Sequence, residues 1–167
     1  MISTRLRSAA VLLLSTVALA ACQQQDNSAV SANPDAKPGL SVDAGMLVLP
    51  AVSGNHGAAY FAVTNAGDSV AEVAAIHVDG VEKTEMHQTS GGSMAPAAKV
   101  PVAPGSTVKF EPGGLHAMLF GIGDQITAGG TAEMTVIFAD GDKVSAPLTI
   151  KAAGDQGATS NQHGSAH

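Results

Sequence analysis

Tryptophan is absent from the 167 residues, and one tyrosine and four phenylalanines make up the other aromatics. A core with so few rings has to be filled by Val, Ile, Leu, Ala and Met. The chain is long enough to bury one such core without disulfides. Cysteine occurs once, at Cys22. No disulfide can form within the chain, and a blue-copper site, which needs a thiolate ligand, is disfavoured. Arginine occurs only at Arg5 and Arg7; beyond them six lysines face 14 acidic residues. With no guanidinium left to grip phosphate or stack on a base, a nucleic-acid partner is not expected. An acidic surface suits a cation or a basic partner. Long apolar runs are missing too: the run from Ala9 to Ala21 is too short to span a bilayer as a helix.

That run follows Arg5 and Arg7 and ends in small residues, as a secretory signal does. Leu19-Ala20-Ala21-Cys22 resembles a bacterial lipobox, in which the cysteine is lipidated and becomes the new N-terminus. The resemblance implies a signal peptide over residues 1–21 and a lipid anchor on Cys22 in the periplasm. Gln23, where an aspartate would favour retention at the inner membrane, points to the outer membrane. Residues 22–39, rich in Gln, Asn, Ser, Ala and Pro, read as a flexible tether, and residues 152–167 as a polar, Gly-rich disordered tail. Residues 40–151 have the size of one small domain.

The middle of the chain has a period of two. Val108 and Phe110 alternate with Lys109 and Glu111. Ala132, Met134, Val136 and Phe138 form one apolar series, and Val144, Ala146, Leu148 and Ile150 another. These are half-buried strands. Leu40–Leu49, Gly57–Thr64, Val70–Val78 and Val81–Gln88 are further candidates, separated by turn signals such as Asp79-Gly80 and Gly91-Gly92. No window carries a capped helical stripe. Seven to nine short strands predict an all-β sandwich. Met46 and Met134, inside alternating strands, are assigned to the core; His56 and His77 to structure or surface.

Soft donors cluster in one stretch. Met94 is followed, after 21 intervening residues, by His116-Ala117-Met118, and Glu85-Met86-His87 lies just upstream of it. Thioethers and imidazoles suit Cu(I), in a compartment where thiols would pair into disulfides. Residues i and i+2 of a strand share a face, so His116 and Met118 can reach one ion. The same rule separates Met86 from His87 and sends Met86 to the core. Met94, after Gly91-Gly92, is expected near a loop tip. His163 and His167 in the tail read as solvated.

These residues resemble the periplasmic copper chaperones called PCuAC, whose pattern is His or Met, ten residues, Met, 21 residues, then His-x-Met. Met94-Ala95-Pro96, Val100 to Gly105, and Glu111-Pro112-Gly113-Gly114-Leu115-His116-Ala117-Met118-Leu119 follow it. Gly57-Ala58-Ala59-Tyr60-Phe61 and Thr64-Asn65 resemble the family's Gly-Ala-Ala-Tyr and Thr-Asn strand. The resemblance implies a cupredoxin-like β-sandwich and a surface Cu(I) site of His87, Met94, His116 and Met118. It also implies delivery of copper to a periplasmic or membrane acceptor, toward the dinuclear copper centre of cytochrome c oxidase. A monomer is expected, and no enzymatic activity. One departure stands out: six residues separate His87 from Met94, so the intervening loop is shortened. The alternative is a metal-free lipoprotein interaction module presenting Leu115, Leu119 and Phe120 to a partner.

Overall fold

A computed structural model describes residues 38–155. The signal peptide, Cys22, nearly all of the tether, and His163 and His167 in the tail lie outside the described residues. Within them the regular elements are eleven strands: β1 (Leu40–Val42), β2 (Gly45–Val48), β3 (Gly57–Asn65), β4 (Ala71–Val78), β5 (Val81–Ser90), β6 (Ser93–Pro96), β7 (Val100–Val102), β8 (Ser106–Phe110), β9 (Leu115–Ile122), β10 (Thr131–Phe138) and β11 (Lys143–Lys151). The all-β class is as the period-two pattern predicts.

Nine strands follow one another by hydrogen bonding in the order β6-β5-β9-β3-β2-β11-β10-β4-β7, while β1 and β8 pair with the far half of β3. All pairings are antiparallel except β2 with β11. The sheet closes over a single apolar core. Val73, Ile76 and Val78 of β4, Leu115, Ala117 and Leu119 of β9, and Val136 of β10 belong to one cluster. Burial alternates strictly along β3 and nearly so along β11. Each residue pair therefore gives one side chain to the interior and one to the outer face.

Four details differ from the sequence reading. The expected strand Leu40–Leu49 is two, broken at Asp43-Ala44. β1 pairs with the end of β3 and β2 with its beginning, so the chain must step between two registers. Gly45 makes that step possible: a Cβ there would fall 2.3 Å from the Tyr60 carbonyl oxygen. β6 and β7 were not anticipated as separate strands; each is short and contains a proline. Met134 is fully buried, but Met46 is only half-buried, because its neighbour Leu47 takes the interior position. Three phenylalanines join the aliphatic core, Phe61 stacking on Phe110 at 4.2 Å with Phe138 buried elsewhere in it.

Candidate metal centre

Strand register decides which soft donors share a face. In the antiparallel pair of β5 and β9, His87 stands opposite His116, Glu85 opposite Met118, and Met86 opposite Ala117. Directly opposed side chains leave the sheet on the same side. His87, His116, Glu85 and Met118 therefore share the outer face. Met86 and Ala117 point inward, where both are buried. β6 adds Met94, opposite Thr89. Thr89 and His87 lie two apart on β5, so Met94 is on that face as well. β3 supplies the other flank: Ala58 opposes Met118, and alternation puts Tyr60 beside it.

The shortened loop has a clear outcome. β5 continues three residues past His87, and the return to β6 is a two-residue turn. Gly91 and Gly92 both have positive φ, 57° and 82°. This is the backbone that tight hairpins require and that glycine adopts without strain. Met94 thus sits in a paired strand, not at a loop tip, and its side chain remains 54% exposed. Six intervening residues leave room for a hairpin and nothing more.

Each imidazole is oriented by a neighbour. Nδ1 of His116 lies 3.0 Å from the Gly114 carbonyl oxygen. A carbonyl only accepts, so Nδ1–H donates and Nε2 keeps a bare lone pair. The residue is 92% buried. Nε2–H of His87 donates to Glu85 Oε2 at 3.1 Å. That leaves Nδ1 of His87 as a bare, buried nitrogen with no hydrogen-bond partner. Lys83 Nζ, 2.6 Å from Glu85, holds the Glu85 carboxyl below the usual glutamate range, with His87 contributing after it. Carboxylate and carbonyl partners of this kind fix the tautomer of ligating histidines. The two rings lie 6.1 Å apart, centroid to centroid, at 33°.

Met94, His116 and Met118 line one cavity of about 280 Å³ together with His56, Ala58 and Tyr60. His87 stands beside His116 but is not part of the cavity wall. A wider cleft of about 510 Å³ passes Asp43, Met46, Lys109 and Glu111 and gathers no comparable set of donors. Among the described residues no three of His, Cys, Asp and Glu come close enough to hold a metal ion. The donors that do converge on the cavity include the two thioether sulfurs of Met94 and Met118, which suit a soft ion.

The sequence reading did not place His56 or Tyr60 at this spot, nor Glu85 as the partner of His87. The signal was available for two of them. Ala58 and Tyr60 are two apart on β3, His56 precedes that strand by one residue in the same two-residue spacing, and Ala58 faces Met118. His77 is remote from the cavity and pairs with Asp79 at 3.3 Å.

The fold is the cupredoxin-like β-sandwich seen in solved PCuAC domains, with soft donors gathered on one outer face. A family model described as "Putative lipoprotein LpqE-like" matches residues 27–150, and the chain belongs to this LpqE-like family. The copper-bound PCuAC domain from PmoF2 superposes with a TM-score of 0.59 at 21% identity, covering 68% of this chain and 93% of that one. The apo PCuAC domain from PmoF1 gives 0.58 at 24%, covering 68% and 94%. The solution structure of CuI-DR1885 from Deinococcus radiodurans gives 0.57 at 20%, covering 74% and 85%. These likenesses bear out the fold that the sequence resemblance implied. No curated protein matches the chain in sequence.

Proposed function

We propose that the protein is a periplasmic Cu(I) carrier, holding one ion through His87, Met94, His116 and Met118 and releasing it to an acceptor by ligand exchange. The observation that carries this reading is the shared cavity of Met94, His116 and Met118, with the Nε2 lone pair of His116 left free by its bond to Gly114. His87 fits the same role. Its buried Nδ1 lacks a partner, and a bound ion would supply one. Two thioethers and neutral imidazoles favour Cu(I) over harder cations. The similar PmoF2 domain is copper-bound and the similar DR1885 carries CuI, which supports the choice of metal.

Transfer by this set of donors needs no general base or nucleophile. Ligand exchange needs an approach path, and the exposed Met94 on its hairpin arm leaves one. Anchoring through lipid on Cys22 is part of the proposal, supported by the lipobox-like sequence and the family's lipoprotein description, and the outer-membrane destination rests on Gln23 alone. The acceptor side, toward the dinuclear copper centre of cytochrome c oxidase, rests on the PCuAC resemblance. The expected state is a monomer.

The test is Met94→Leu combined with Met118→Leu. Leucine keeps volume and apolarity while removing sulfur. Competition against a Cu(I) chelator should show affinity falling by orders of magnitude, with an unchanged circular dichroism spectrum. A folded double variant that binds Cu(I) as tightly as the parent would refute the site. A parent chain that takes up neither Cu(I) nor Ag(I) would leave the metal-free module as the better reading.

A further inference from the structure

His56 belongs to the cavity without a part in the four-residue site. It lines the same space as Met94, His116 and Met118. Its position follows from register. Gly57 opposes Leu119 and Ala58 opposes Met118, so His56 comes in from the β3 side one step further on, toward Phe120. The rings of His56 and Phe120 are 4.3 Å apart and tilted by 49°. His56 is the residue just before β3, outside the ladder, and shares the cavity wall with Met118. Ala58 between them contributes only a methyl group and leaves the space open. Within the described residues no hydrogen bond or ion pair ties down either nitrogen of His56. His77, by contrast, pairs with Asp79, and the other two cavity-side imidazoles have orienting partners.

We propose that His56 is a further copper ligand of this cavity, taking the ion together with Met118 from the side opposite His116. The inference rests on the copper reading above. Cu(I) is stable with two or three ligands, so Met118 can belong to two overlapping donor sets. One set includes His116 and the other His56. Passage between them exchanges one imidazole nitrogen for another while the sulfur stays bound, and the oxidation state does not change. His56 then marks the side from which the ion enters or leaves.

The experiment uses the intact chain carrying Cys22→Ser, so that the thiol does not compete for metal. Ag(I), a redox-inert substitute for Cu(I), is titrated while the imidazole ¹⁵N shifts of each histidine are followed. The expected result is that ring nitrogens of both His116 and His56 move with saturation. His56→Phe, which keeps a ring against Phe120, should bind Cu(I) about tenfold more weakly in chelator competition. A His56 ring that keeps its free shift while His116 moves overturns the proposal and leaves the four-residue site standing. If His116 also fails to respond, the copper reading itself falls, and this inference with it.

Discussion

Asn65 offers a stability test kept apart from the metal centre. It sits at the end of β3 remote from Ala58 and is 98% buried. Its Nδ2 donates to the Ser69 carbonyl at 2.8 Å and the Val102 carbonyl at 3.0 Å, and its Oδ1 accepts from the Gly67 amide at 3.0 Å. The side chain therefore closes the turn after β3 and ties it to β7. Asn65→Ala removes all three bonds. Each is worth about 1 kcal/mol net, and the bond to Val102 is a buried one. The expected loss is about 3 kcal/mol, a large part of the stability of a domain this size. In urea unfolding the midpoint should fall with an unchanged slope, and Tm should fall by roughly 10 °C. Cu(I) affinity of the folded variant should not change. A stability loss below about 1 kcal/mol would show that these bonds are replaced by water at little cost, and would refute the reasoning.

Two further outcomes concern charge and anchoring. The Glu85 carboxyl, held low first by Lys83 and then by His87, contributes stability that is present above the ordinary glutamate pKa and lost as pH falls through its own lowered value. Lys83→Met should move the Glu85 titration, followed by carboxyl NMR shifts, upward; an unmoved midpoint would remove Lys83 as the main cause. Cys22→Ser should shift the protein from the detergent-extracted membrane fraction to the soluble fraction, and retention in the membrane would argue against lipidation.

The sequence made some of this architecture readable and hid the rest for physical reasons. Period-two alternation is a local property, so β3, β10 and β11 are visible in the residues themselves. It also put His116 and Met118 on one face and Met86 on the other. Pairing is not local. That His87 lies opposite His116, and that Ala58 lies opposite Met118, depends on strands distant in the chain; His56, read as structural or surface, is exposed, and only this pairing brings it to the cavity. β6 carries no alternation because all four of its residues are exposed. The break at Asp43-Ala44 arises from a change of partner along β3, which hydrophobicity does not record.

The path of nine hydrogen-bonded strands ends in β6 at one side and β7 at the other, and each end strand contains a proline, Pro96 or Pro101. A proline offers no amide hydrogen to an incoming strand, and three or four residues are too few to template one. Both margins are therefore poor starting points for strand addition. Copies of the domain that met along these two margins would therefore not zip together into a continuous sheet.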